Sequence, residues 1–184
     1  MPSTRRTSFP LLLTAALATT LGPPVVQAAD VTGFRDSGGL AHSKETGLPV
    51  TWSSGQNVVW KTKMPGPGTS SPIVLGERIY LTSYTGYGLV PNQGEQANLK
   101  RQVLCLDRAS GKQIWRKEIA AKLPESRYSG GNNARHGFAS ATPTTDGKHL
   151  YVFFGKSGVF CFDLNGKTVW TADVGSRTRG WGSS

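Results

Sequence analysis

The chain has 184 residues, of which 37 % are apolar and only 17 % charged, and 23 Gly and 11 Pro punctuate it. That mix excludes a helical bundle or a coiled coil and suits an all-β protein of short strands and tight turns. The formal net charge is +10, yet the basic residues stand as singles and pairs such as Lys100-Arg101 and Arg116-Lys117. No basic run or stripe marks a nucleic-acid footprint, so the charge reads as a mildly cationic surface, open to anionic glycans or membrane surfaces.

Residues 1–28 read as an export signal. Arg5 and Arg6 give a positive start, Phe9 to Val26 an apolar stretch, and Val26-Gln27-Ala28 the small residues that place a cut after Ala28. Pro10 and Gly22-Pro23-Pro24 interrupt the stretch, whereas a spanning helix needs about 20 apolar residues without such breakers. The Arg pair hints at the twin-arginine route, although Phe9 lies one position off the usual place. Cleavage removes two Arg and no acid, so the mature part carries about +8 and no transmembrane helix. The expected location is the periplasm or the cell surface.

Residues 29–56 form a lead-in segment, and 57–64 fit an outer strand. Trp60, Trp115 and Trp170 then stand at a constant spacing of 55 residues. Around the last two, Val103-Leu-Cys-Leu-Asp107-Arg-Ala-Ser-Gly111-Lys-Gln-Ile-Trp115 aligns with Val159-Phe-Cys-Phe-Asp163-Leu-Asn-Gly166-Lys-Thr-Val-Trp170, the second turn being one residue shorter. Upstream, Ser71-Pro72 to Tyr80 aligns with Thr142-Pro143 to Tyr151 as strand, Gly turn, strand. Each unit therefore predicts four short antiparallel strands, one blade of a β-propeller. Blade one spans 70–119, with strands at 70–75, 77–84, 102–107 and 112–119. Blade two spans 141–174, with strands at 141–145, 148–155, 158–163 and 167–174. Residues 181–184 resemble the start of a next blade. The Asp accepts hydrogen bonds from turn N–H groups, the Gly supplies a left-handed residue, and the Trp face packs across to the neighbouring blade.

This repeat motif (Asp107, Gly111, Trp115 and Asp163, Gly166, Trp170, with Trp60 upstream) resembles the PQQ-like repeat β-propeller family, whose signature is roughly Ala-x-Asp-x-x-Thr-Gly-x-x-x-Trp. Here Ser110 replaces the Thr, and the second copy has the one-residue deletion. The run Thr46-Gly47-Leu48-Pro49-Val50-Thr51-Trp52 and the stretch to Pro72 look like the opening of exported members. Propellers of four to eight blades compared with two here suggest an N-terminal fragment of a longer protein.

Two functions from different classes follow from the resemblance. The first is a non-catalytic binding or assembly scaffold of the cell envelope, with a protein or envelope-glycan partner and no cofactor. It is similar to family members that use the fold without the quinone, including the outer-membrane assembly lipoprotein type, although no lipobox Cys follows the signal here. The alternative is a dehydrogenase of alcohols or sugars that uses PQQ with calcium; the adjacent Cys pair common in such enzymes is absent.

No catalytic acid–base pair, metal-ligand spacing or nucleophile motif stands out. Asp107 and Asp163 are explained by turns, and His42, His136 and His149 lack ligand spacing with one another or with Cys. Cys105 and Cys161 occupy equivalent strand positions and read as small buried apolar residues, with a bridge as the alternative. The loop before the inner strand of blade two contains Tyr128, Asn132, Asn133, Arg135 and His136, a candidate ligand-facing cluster near the central channel. Alternatively, its polar groups satisfy their own turns. Residues 85–100 are an insertion between the second and third strands of blade one, either a recognition loop or a tolerated surface excursion.

Overall fold

Short runs of Val, Ile, Tyr and Phe, each ended by a Gly or Asp turn, favour pleated strands joined by tight connections. A computed structural model, which describes residues 29–36, 39–131 and 135–176, shows this arrangement. Ile73–Leu75 (β1), Arg78–Thr85 (β2), Lys100–Asp107 (β3) and Gln113–Ala120 (β4) form one four-stranded antiparallel sheet. Thr144–Thr145 (β5), His149–Phe153 (β6), Val159–Asp163 (β7) and Thr168–Ala172 (β8) form a second. Strand order is sequential in both, as in two successive blades of a propeller-like fold. The start of a next blade at 181–184 lies outside the described residues. Residues 57–64 make no strand ladder, although Trp60 and Thr62 are tied to the β3–β4 turn.

The two sheets share one register defect. Cys105 faces Trp115 and Leu106 faces Gln113, so the pairing shifts at Ile114; Cys161 faces Trp170 and Phe162 faces Thr168, so it shifts at Val169. This bulge sits just before the turn and strengthens the local twist, which re-aims the Trp. The turns close as their chemistry requires. Asp107 Oδ1 accepts from the Ser110 N–H at 2.7 Å and the Ser110 hydroxyl at 2.5 Å, which holds its carboxyl below the usual range. Asp163 Oδ1 accepts from the N–H groups of Asn165 and Lys167 at 2.9 and 2.8 Å. Gly111 and Gly166 have φ of 69° and 83°, the region that favours glycine.

The core lies between the sheets. Ile73, Tyr80, Val103 and Cys105 of the first meet Leu150, Val152 and Phe162 of the second in one buried cluster. Both thiols are free and buried, and removal from water pushes Cys105 up to about 11. Among the described residues, no helix is long and apolar enough to cross a membrane.

Candidate functional site: the connector face

The connectors gather at one end of the sheets. The β2–β3 insertion, the β4–β5 connector and the β6–β7 turn are joined by direct hydrogen bonds. Gln96 and Glu125 exchange two of them: the Gln96 side-chain N–H donates to the Glu125 carbonyl at 2.7 Å, and the Glu125 N–H to Gln96 Oε1 at 2.9 Å. Ser157 Oγ accepts from the Lys122 N–H and from Arg101, both at 3.0 Å. Lys156 Nζ donates to the Pro124 carbonyl.

Arg101 is the hub. Its side chain and that of Glu125 are each only 3 % exposed and meet at 2.6 Å. Its Nε donates to the Phe138 carbonyl at 3.0 Å, and its guanidinium lies 5.9 Å from the Phe154 ring centroid. A buried charge needs this many partners, because desolvation costs several kcal/mol per ion. One side chain thus joins the first blade, the connector and the second blade.

Above it sits an aromatic cluster. Phe138 packs against Tyr84 at 5.4 Å, Tyr87 at 5.6 Å and Tyr128 at 6.1 Å between ring centroids. The Tyr84 hydroxyl donates to the Gly88 carbonyl and the Tyr87 hydroxyl accepts from the Tyr128 N–H, each at 2.9 Å. Desolvation, followed by the neighbouring Tyr128, pushes the Tyr84 phenol up to about 12. Gly88 is required here: its φ is 78°, and a Cβ would lie 2.3 Å from Phe138. The Asn92 N–H then donates to the Tyr128 carbonyl at 2.8 Å. The insertion is clamped at both ends, and its tip presents Leu89 (52 % exposed), Val90 (48 %) and Pro91 to solvent.

Of the loop residues singled out in sequence, Tyr128 is buried in this cluster, Arg135 is exposed, and His136 is half-buried with its carbonyl accepting from the Thr69 hydroxyl at 3.0 Å. Asn132 and Asn133 lie outside the described residues. Arg101, Glu125, Gln96 and Phe138 carried no sequence signal as a group. In sequence Lys100-Arg101 reads as part of the surface charge, ahead of a strand at 102–107; the structure instead starts β3 at Lys100 and buries Arg101.

At the opposite end the turns carry the repeat motif. The Trp60 indole N–H donates to the Arg108 carbonyl at 2.9 Å, and the Trp115 indole N–H to the Leu164 carbonyl at 3.0 Å. Each acceptor is the residue after the turn Asp. Each ring lies on the turn glycine, so a Cβ on Gly111 would be 2.3 Å from Trp60 and one on Gly166 2.9 Å from Trp115. Trp170 is 44 % exposed, and among the described residues the aromatic ring beside it is Tyr151, tilted at 6.0 Å between centroids.

The lead-in segment runs along the inner strands. Val31 and Val74 exchange two backbone hydrogen bonds of 2.9 and 2.8 Å, and the Thr32 carbonyl accepts from the Thr145 N–H and the Thr144 hydroxyl, each at 3.0 Å. No three His, Cys, Asp or Glu side chains converge among the described residues. The described residues therefore offer no carboxylate set fitted to calcium.

Residues 99–181 match the family model described as outer membrane protein assembly factor BamB. No curated protein matches the chain.

Proposed function

We propose, for a chain whose residues 99–181 are PQQ-like repeat sequence, a non-catalytic binding or assembly scaffold exported to the cell envelope. The connector face is its docking surface for a protein partner. The observation that carries this reading is the apolar tip Leu89-Val90-Pro91, exposed yet clamped by Tyr84, Tyr87 and Tyr128. Ordering apolar side chains in advance removes part of the entropy cost of association, and a fixed apolar patch on a loop marks an interaction site. The family whose model matches is an assembly factor of outer membrane proteins, which supports an envelope setting and a protein partner.

The test places a photo-crosslinking residue at position 90 or, as a control, at Lys148 on the opposite end, in the exported full chain. The expected result is a discrete adduct from position 90 that Leu89→Ser abolishes, and none from position 148. Equal labelling from both positions would count against the connector face. Dye-linked oxidation of alcohols or sugars on addition of PQQ and calcium would overturn the non-catalytic reading.

A further inference from the structure

Two independent features converge on Ala29. In the sequence, Val26-Gln27-Ala28 places a signal cut just before it. In the structure, the Ala29 backbone nitrogen donates to Glu45 Oε1 at 2.8 Å. The residues that follow are committed immediately. Asp30 Oδ1 accepts from the Gly76 N–H at 2.8 Å, Val31 pairs with Val74, and Thr32 joins the inner strand of the second sheet. The ladder contacts thus begin at Val31, the third residue after the expected cut, and the carboxylate stands where the new terminus would be. Glu45 is itself positioned, its N–H donating to Ser43 Oγ at 3.1 Å.

We propose that Ala29 is the first residue of the mature chain and that Glu45 holds its α-ammonium, so that signal removal fastens the lead-in strand across the inner edges of both sheets. This rests on the export part of the function proposed above. An envelope signal-cleaving protease adds water across the Ala28–Ala29 peptide bond, leaving a carboxylate on Ala28 and an ammonium on Ala29. Before the cut, Glu45 accepts from one neutral amide. After it, the same carboxylate faces a full positive charge with three N–H donors, so an ion pair is added to the hydrogen bond, worth up to about 1 kcal/mol at an exposed site. Arg35, Asp36, His42 and Lys44 line the same recess, and Arg108 its adjoining part. The mixed charges leave Glu45 as the anion in contact with the terminus.

The test expresses the full chain in a bacterial host and recovers it from the periplasm. N-terminal sequencing and intact mass should show a chain beginning Ala29-Asp30-Val31. An amine-selective acylating reagent near neutral pH should then label the α-amine about threefold faster in Glu45→Gln than in the wild type, the effect of an exposed ion pair on an amine titrating near pH 8. A start at any other residue overturns the proposal while the export reading stands. An uncut chain retained in the cytoplasm overturns both. The expected start with equal labelling of wild type and Glu45→Gln overturns the Glu45 contact.

Discussion

Replacing Glu125 with Ala removes the carboxylate that faces Arg101 at 2.6 Å with both side chains 3 % exposed. The guanidinium keeps its contacts to the Phe138 carbonyl and Ser157 Oγ but loses its counter-charge in a site closed to water. Breaking a buried pair from one side costs about 3–5 kcal/mol, a large share of the roughly 5–15 kcal/mol that holds a domain together. At about 2–4 °C per kcal/mol for a chain of this size, the melting temperature should fall by roughly 6–20 °C. The double variant Arg101→Met with Glu125→Leu should recover most of that loss, since apolar groups of similar volume are often neutral or better in place of a buried pair. Urea titration followed by Trp fluorescence measures both. Added salt should change neither result, because a buried pair is screened far less than a surface one. If Glu125→Ala shifts stability by less than about 1 kcal/mol, as exposed pairs do, Arg101 is not the hub of the junction.

The repeat motif predicts a graded series. Trp115→Phe should cost about 1 kcal/mol for the lost indole hydrogen bond, the Leu164 carbonyl still accepting from Arg78, whereas Trp170→Phe, at a half-exposed ring, should cost less in the same melts. Gly111→Ala combines a positive φ with a 2.3 Å approach to Trp60 and should cost several times as much as Gly147→Ala, where φ is 87° but nothing lies within 4 Å. Burial raises the Cys105 thiol to about 11, so the unfolded chain gives up that proton first. The stability it contributes is full below about pH 8.5 and lost as pH rises toward 11, and Cys105→Ala should flatten the alkaline limb of the urea midpoint. The N–H groups of His149 and Lys148, with the Tyr151 hydroxyl, hold the Asp146 carboxyl well below its usual range. Its contribution is therefore present above about pH 3.9 and is lost on acidification, so Asp146→Asn should flatten the acid limb.

The four-stranded units, their turns and the buried Cys positions were legible in the sequence because each depends on neighbours within a few residues: an Asp that bonds its own turn, a Gly that accepts positive φ, alternating apolar side chains. The even spacing of Trp60, Trp115 and Trp170 marked the units for the same reason. Partnerships across long sequence separations left no such trace. Nothing local in Arg101 and Glu125, or in Gln96 and Phe138, announces that they meet, and Tyr128 in a polar loop gives no sign of belonging to an aromatic cluster. Likewise the acceptor of each indole, the carbonyl after the next turn's Asp, is a backbone group that any residue supplies. The pairing of Val31 with Val74 is a ladder contact written in main-chain hydrogen bonds alone. Such contacts are decided by where the chain closes its loops in three dimensions, which is why the fold could be read from the residues and the connector face could not.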